Sequence, residues 1–325
     1  MTGGRITLTI GWIGRHTPPG AGVDGRDAAI IDIAQDLLLR ELHGRGVLDL
    51  LAFKGGTSLR KLYAGSQGRF SLDLDFSVAS LADDPDTVLL SLISEIDGLI
   101  AGPFAYGVTE RRGKWWLTIR TEFASADSAL SSKLDVSPPP WLDPVRRAWV
   151  PMPVHATYGT PRLPELQVVR LEENIAEKIS RLNRTTTARD LYDLAWLATH
   201  QREADSLDTD LIRRLAVLKI WSDANGVATH SIRWKPGHEP RAFDPGRWLR
   251  PRTAAEVDLA DIGALAVPTP SLADLNTTIQ AHYSFLRNLD PDERQLAEAR
   301  EQDRHLALRL LTELPGKRLA PIGLH

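Results

Sequence analysis

The chain has 325 residues, 42% of them hydrophobic, so it is long enough for one large domain or two ordinary ones with a substantial core. It contains no cysteine, which excludes disulfides, thiolate metal sites and cysteine nucleophiles. The formal net charge of −3 argues against a protein that coats nucleic acid through its overall field. The N-terminus lacks a secretory pattern and no stretch is long enough to span a bilayer, so we expect a soluble cytoplasmic protein without a membrane partner.

The N-terminal region divides into a predicted arm or loop and a predicted helix. Residues 1–24 contain two adjacent prolines and several glycines, which is typical of an arm or loop. From Asp27 to Leu42 the apolar residues recur at helical spacing, and glycines follow at 44 and 46. We therefore expect an amphipathic helix that packs on a sheet.

A strand-to-helix turn is predicted at Gly55 and Gly56. The apolar run Leu50 to Phe53 precedes the two glycines, and a helical pattern follows them. At such a turn the free backbone N–H groups and the positive end of the helix can hold phosphate. Thr57 and Ser58 fit the cap of this helix.

The stretch Phe70 to Val78 alternates strictly between apolar and polar residues, which predicts a strand with one buried face. Ser71, Asp73 and Asp75 share the polar face. The two aspartates lie about 6.5–7 Å apart at the backbone, and their side chains can lean together around a divalent ion such as Mg²⁺. The alternative is a solvent-facing strand side that happens to carry two acids.

Further elements follow in β-α-β-α order. Thr87 to Ile100 is predicted as a helix, Gly107 to Phe123 as a hairpin, and residues 133–137 as a short strand in which Asp135 faces away from Leu134 and Val136. Residues 138–165 are rich in proline and predict a linker or domain boundary.

Two groups of arginines and aromatic residues are candidates for nucleic-acid contact, because arginine can track a phosphate backbone while an aromatic ring stacks on a base. The alternative for each is a solvated hairpin or loop. The groups are Arg111, Arg112, Lys114, Trp115 and Trp116, and Arg146, Arg147 and Trp149.

A second informative block covers residues 171–200. Its first helix has an apolar stripe within which Lys178 projects, and Asn174 and Arg181 lie on the adjoining strip. Because an unpaired interior ammonium is unfavourable, we expect Lys178 to meet an anion. The alternative is a lysine whose stem is buried while its ammonium reaches water.

A second helix follows a break at residues 185–187. Thr187 and Asp190 match a helix cap with an acid three residues later, which gives Asp190 a structural explanation. Asp193 lies one turn further, away from the apolar stripe of this helix, so we favour Asp193 as the functional acid of the pair. Beyond residue 202 the chain is mainly helical by period, with late helices near 271–289 and 291–314.

Together, Gly-Gly-Thr-Ser, a helix, Ser-x-Asp-x-Asp, and then Glu-x-x-x-Glu-Lys with Arg-Asp-x-x-Asp resemble the polymerase-β-like nucleotidyltransferases. In detail the chain resembles the AbiEii toxins of type IV toxin–antitoxin systems, which include the MenT toxins. The resemblance spans about residues 25–200. It implies an α/β (α+β) nucleotidyltransferase core with a mixed sheet at 25–150, and a mainly helical domain at 165–325 that completes the active site.

The resemblance also implies a mechanism and roles for the residues. Mg²⁺ would be bound by Asp73 and Asp75, with Asp135 as the third carboxylate, and the donor would be a nucleoside triphosphate. Nucleotide contacts would come from the glycine turn and the residues near it, and Lys178 with Asp193 would act in catalysis. The nucleotide-binding set is Gly55, Gly56, Thr57, Ser58, Ser71, Arg181 and Asp190.

The acceptor implied by the resemblance is the 3′ end of tRNA, whose modification would block aminoacylation and arrest growth. An antitoxin encoded alongside would restrain the toxin, and in some toxins of this kind the restraint is phosphorylation at the position of Ser71. Two alternatives stay open: the same chemistry on a protein or small-molecule hydroxyl, and a non-catalytic nucleotide-binding protein.

Overall fold

The computed structural model describes residues 6–124, 129–159, 163–200, 207–226 and 234–316. The chain divides into two compact units. The sheet unit comprises the described residues within Met1–Pro140, Pro144–Val169 and Gly263–Pro268, and the helical unit those within Trp141–Asp143, Arg170–Ile262 and Thr269–His325. Parts of the predicted arm (1–5) and of the predicted helical half (201–206, 227–233 and 317–325) lie outside the described residues.

The sheet unit is built on one mixed sheet, with eight strands in the described part of the chain. In space the strands follow the order β3-β4-β5-β6-β2-β1-β8-β7; the β2–β6 and β1–β8 pairs are parallel, and the others are antiparallel. The mixed sheet with its helices confirms the predicted α/β class. The strands are β1 Leu51–Lys54, β2 Leu74–Val78, β3 Ile100–Ala101, β4 Phe104–Arg111, β5 Lys114–Arg120, β6 Leu130–Ser137, β7 Val145–Ala148 and β8 Glu165–Val168.

Two helices cover one face of this sheet. Their contacts place α2 and α4 against β4 and β6, and Gln35 of α2 donates a hydrogen bond to Ser132 of β6. The covered face carries the core, in which the rings of Phe53 and Phe76 stack with centroids 5.1 Å apart. The opposite side is called the polar face below. The helices of this unit are α1 Ile10–His16, α2 Gly22–Gly44, α3 Gly55–Leu59 and α4 Pro85–Ile96.

Several boundaries in the sheet unit differ from the prediction. The predicted arm contains α1, and the predicted linker 138–165 contributes edge strand β7. Helix α4 starts earlier because Asp84 accepts a hydrogen bond from the Thr87 backbone N–H (2.8 Å), and it ends at Ile96, so Ile100 is free to pair in β3.

Strand β2 is shorter than the alternating pattern indicated. It begins at Leu74, whereas the Phe70 backbone N–H donates to the Ala264 carbonyl (2.9 Å) instead of to a neighbouring strand. Leu72, predicted to be buried, is 44% exposed. The alternation therefore marks faces correctly only from Leu74 onward, because the residues before it form a loop.

The helical unit packs α5 against α7 and α6 against α9. The predicted late helices are each interrupted. The first gives way to a 3₁₀ turn at Ser284–Arg287, and the second breaks near Ala299, which has a φ of 55°. No helix in the described ranges is long and apolar enough to cross a membrane. The helices are α5 Leu171–Arg184, α6 Ala188–Thr199, α7 Thr209–Asn225, α8 Pro245–Trp248, α9 Leu272–His282, α10 Pro291–Ala297 and α11 Arg304–Thr312.

Candidate functional site

Two predicted metal-binding acids lie side by side on the polar face. Asp75 of β2 is in register with Asp135 of β6, and on its other side with Lys54 of β1. Residues directly opposite each other in a sheet point to the same face, and neighbouring strands are about 4.8 Å apart. The fold therefore brings together two carboxylates that are 60 positions apart in the chain, with a lysine beside them.

The predicted glycine turn lies directly against the row formed by Lys54, Asp75 and Asp135. Gly55 has a φ of 76°, and a Cβ placed on it would lie 2.7 Å from Oδ2 of Asp75. A Cβ on Gly56 would overlap Nη2 of the buried Arg69 and would lie 3.0 Å from Oγ of Ser71. Position 55 therefore favours glycine through its positive φ and the nearby Asp75 carboxylate, whereas a side chain at position 56 would require the Arg69 guanidinium to move.

The hydroxyl residues near the turn have roles other than the predicted cap. Helix α3 begins at Gly55, so Thr57 and Ser58 are inside it, and the prediction that they cap the helix is wrong. Thr57 Oγ1 instead donates to the backbone carbonyl of Asp73, which ties the helix to the segment before β2. Ser58 is buried within the helix, and Ser71 is buried against the glycine turn.

The electrostatics of the row favour a cation. Burial raises the pKa of Asp75, and repulsion from Asp73 and Asp135 adds to the shift, against the attraction of Lys54 and Lys133. A divalent ion would relieve this repulsion, and carboxylate oxygens are ligands that Mg²⁺ prefers. The donor set fits magnesium, although among the described residues no three or more His, Asp or Glu side chains are already arranged to hold an ion.

Lys178 is the centre of a buried cluster in the helical unit. Its Nζ lies 2.9 Å from Asp190 Oδ1 and 2.8 Å from Asp193 Oδ2, and the lysine is 3% exposed. The expected anion is therefore supplied by two carboxylates of the next helix. Both acids contact the lysine, so the geometry does not single out Asp193 as the sequence had favoured.

Asp190 combines a structural and an electrostatic role. Its backbone N–H donates to Oγ1 of Thr187, the N-cap of α6, as predicted. Burial acts to raise the pKa of Asp190, but attraction to Lys178 and Arg181 outweighs it and holds the pKa well below its usual range. Asp190 therefore stays ionised at neutral pH and fixes the position of Lys178.

Arg181 opens onto a polar cavity of about 250 Å³ within the helical unit. Its side chain is 51% exposed, and its Nη1 lies 3.5 Å from Asp190. Arg184 and Lys219 also line the cavity, together with Glu177 and Asp223. Arg184 is paired with Asp223, and Lys219 is paired with Glu173 and Glu177. The nucleotide contact of Arg181 stays a prediction.

Sequence reasoning missed the cations that flank the acids. Lys54 is the last residue of β1, and the alternation of side chains along this four-residue strand would have placed it on the polar face. Arg69 could not have been found, because its position beside Gly56 depends on the loop before β2. The buried pair Arg60 and Lys61, bound to Asp32, was also missed, since it joins α2 to the turn after α3 over about 30 residues.

The two basic and aromatic groups differ in accessibility. Arg147 donates from Nε to the Leu62 carbonyl (2.9 Å) and lies 3.8 Å from the ring centroid of Tyr63, and Trp149 is buried, so these two residues are structural, whereas Arg146 is exposed. In the β4–β5 hairpin, by contrast, Arg111 and its cationic neighbours are exposed and the tryptophans are half-buried. This hairpin remains a candidate nucleic-acid-binding surface.

The chain matches a known protein family and is similar to a solved structure. Residues 37–309 match the family model described as nucleotidyl transferase AbiEii toxin, type IV toxin–antitoxin system. Among solved structures, the chain is similar to MenT4, a nucleotidyltransferase toxin from Mycobacterium tuberculosis, with 34% identity and a TM-score of 0.80 over 94% of this chain and 99% of that one. Comparison with curated protein sequences gives no match.

Proposed function

The chain belongs to the AbiEii family of nucleotidyltransferase toxins of type IV toxin–antitoxin systems, and from this premise we propose its reaction. It transfers a nucleoside monophosphate from a nucleoside triphosphate to the 3′ end of tRNA, in the cytoplasm and with Mg²⁺. The observation that carries the proposal is the row of Asp75 and Asp135 against the glycine turn. Blocking the acceptor end of tRNA would stop aminoacylation and arrest growth.

Each part of the sheet-unit site has a task in this reaction. Asp73, Asp75 and Asp135 would hold the metal, which when bound polarises the α-phosphate and activates the attacking hydroxyl. The backbone N–H groups at Gly55 and Gly56 would bind the triphosphate. The bond between the α-phosphorus and the bridging oxygen breaks as the acceptor hydroxyl attacks, and pyrophosphate leaves.

The helical unit would neutralise phosphate charge. Lys178 is held by Asp190 and Asp193, so its ammonium is fixed in position before any ligand arrives. Arg181 would contact the nucleotide. Family membership and the fixed position of Lys178 support these roles of the helical unit.

The central test replaces single acids of the row. Asp73→Ala and Asp75→Asn should each abolish transfer, measured with Mg²⁺, each labelled nucleoside triphosphate in turn, and total tRNA beside total protein. The melting temperature of Asp75→Asn should stay equal or rise, because the substitution removes a repelled charge. Asp86→Asn, an exposed acid in the first turn of α4, is the matched control and should retain activity.

Three results would contradict parts of the proposal. Full activity of Asp75→Asn would remove the carboxylates from the mechanism. Label in protein rather than tRNA would favour the alternative acceptor. Unchanged labelling in excess chelator would exclude the magnesium requirement.

Regulation by the antitoxin would act at Ser71. Its hydroxyl lies beside Gly56 and Arg69, so a phosphate there would add about −1.5 to −2 charge and compete with the triphosphate for the same donors. Mass spectrometry of the toxin co-expressed with the neighbouring gene product should find phosphorylated Ser71 in the inactive protein. An inhibited toxin with unmodified Ser71 would point to a steric complex instead.

A further inference from the structure

The carboxylates belong to a longer row on the polar face. Strand β5 pairs with β6 up to Trp115 and Leu134, so the next residue, Lys114, lies opposite Asp135. On the far side of β5, Lys114 pairs with Arg111. Across five neighbouring strands the row reads Arg111, Lys114, Asp135, Asp75 and Lys54.

A second row lies one dipeptide step away on the same face. Trp116 of β5 pairs with Thr109 of β4 on one side and with Lys133 of β6 on the other. The Nζ of Lys133 is 3.5 Å from Asp135. Asp135 and its register partner Asp75 lie on the same face as Lys133. The indole of Trp116 and the acids therefore share a face.

The hairpin has the chemistry of a single-strand nucleic-acid surface. Arg111, Lys114 and Trp116 are exposed or half-buried, and the Arg111 guanidinium lies 5.9 Å from the Trp116 ring centroid. This local positive charge stands out in a chain whose net charge is −3. Aromatic rings stack on unpaired bases while neighbouring cations bind the backbone phosphates, which is the general mode of single-strand recognition.

We infer that the β4–β5 hairpin binds the unpaired 3′ strand of a nucleic-acid acceptor, with Trp116 stacked on a base and with Arg111, Lys114 and Lys133 on phosphates. This inference rests on the proposed function. Measured across the sheet, Trp116 of β5 lies two strand spacings, about 10 Å, from β2 and its Asp75, which is the length of roughly three stacked nucleotides. A strand held at the hairpin would thus present its terminal hydroxyl at the acids.

The test measures KM for tRNA and KM for the nucleotide separately. Trp116→Ala should raise the KM for tRNA about 5- to 150-fold, the range expected for one lost stacking contact, with the KM for the nucleotide unchanged. Trp116→Phe should restore most of the affinity because it retains a ring. Arg120→Ala is the control, since Arg120 is exposed on the same strand and face but six residues from Lys114.

Salt dependence separates phosphate contacts from a structural role. The affinity for an RNA with a single-stranded 3′ end is plotted against salt concentration on logarithmic axes. In Lys114→Ala the magnitude of the negative slope should be smaller by about 0.7, as expected for one lost phosphate contact to a single strand. Affinity is measured by fluorescence anisotropy without nucleotide, and melting curves check that each variant is folded. The Arg120→Ala slope should equal the wild-type slope.

The outcomes distinguish this inference from the proposed function. If the wild type labels tRNA and Trp116→Ala has an unchanged KM for tRNA, the hairpin is not the acceptor surface. If the wild type labels no nucleic acid, the proposed acceptor is wrong, and failure of the RNA to bind in the anisotropy assay overturns the hairpin assignment as well. Loss of labelling of a protein acceptor in Trp116→Ala would assign the surface to a protein.

Discussion

Two buried lysines, one in each unit, make nearly the same contacts. Lys61 in the sheet unit has its Nζ 2.9 Å from Asp32 and 2.5 Å from Asp36, and Lys178 in the helical unit lies 2.9 Å and 2.8 Å from its two aspartates. Each is therefore a single ammonium held between two carboxylates in a protein interior. The ion pairs alone do not tell which lysine is functional.

The surroundings of the two lysines differ. Lys61 and its two aspartates are fully buried beneath further partners, because Arg60 and His16 bind Asp32 and the Tyr158 hydroxyl donates to Asp36. Arg60 and His16 also line a cavity of about 120 Å³ whose other lining residues are mainly apolar. The Lys178 cluster is bordered by the half-exposed Arg181, which opens onto the polar cavity. The lining of the adjoining cavity, mainly charged beside Lys178 and mainly apolar beside Lys61, separates the candidate functional cluster from the structural one.

The largest effect is expected from removing the central cation of the Lys61 cluster. Lys61→Met leaves Asp36 and Asp32 buried without their shared cation, so the free energy of unfolding should fall by about 3–5 kcal/mol. Urea unfolding measures the change, and Lys235→Met, at an exposed lysine, should stay within about 0.5 kcal/mol of wild type. A loss below 1 kcal/mol in Lys61→Met would show that the remaining partners suffice.

A somewhat smaller loss of stability, with loss of activity, is expected for Lys178→Met. If Lys178 were an unpaired buried ammonium, its removal would leave the stability of the protein equal or raise it. Because Asp190 and Asp193 surround the ammonium, Lys178→Met should instead lower the free energy of unfolding by about 3 kcal/mol. Transfer should disappear in Lys178→Met and stay low in Lys178→Arg, which keeps the charge and much of the stability. Normal transfer in both variants would assign a purely structural role.

Acid should weaken both clusters. Burial alone would raise the pKa of Asp32, Asp36 and Asp190, but their cationic partners hold all three pKa values below the usual range. A depressed folded-state pKa contributes stability that is present above about pH 4 and is lost as pH falls further. Urea unfolding between pH 7 and pH 3 should show a smaller acid-induced loss of stability in Asp36→Asn and in Asp190→Asn than in wild type. Parallel curves for all three proteins would contradict this assignment.

The smallest effect on stability is expected at Arg181. Because its side chain is half-exposed, Arg181→Gln should change the free energy of unfolding by less than about 0.5–1 kcal/mol. The KM for the nucleoside triphosphate should nevertheless rise, which initial-rate kinetics would detect. Arg309→Gln is matched in exposure and also loses an acidic partner, Asp292, and its KM should stay at the wild-type value.

The sequence predicted the parts of the site that depend on local pattern. The glycine turn follows from an apolar run, two glycines and a helical period, and β1 and α3 meet there. Lys178 was recognised because its helix has a clear apolar stripe and its acids lie 12 and 15 residues away on the next helix. Short sequence separation makes such contacts readable.

The remaining parts depend on tertiary context. The proline-rich segment 138–165 gave no alternation from which edge strand β7 could be predicted, since only four residues pair there. Lys61 reaches its acids across 25 and 29 residues, on a face of α2 whose aspartates look exposed in a helical projection. Register between β5 and β6, which aligns Lys114 with Asp135, is likewise set by pairing rather than by local sequence.

The close contacts around Gly55 and Gly56 affect which mutations inactivate the toxin. Every missense change at either codon adds a Cβ, which would meet the Asp75 carboxylate at one position and the Arg69 guanidinium at the other. Cells that survive uncontrolled expression of the toxin gene should therefore carry missense alleles at these two codons as well as at those of Asp73, Asp75 and Lys178, alongside nonsense and frameshift alleles. The same closeness that shapes the site makes it a target for escape by single-base change.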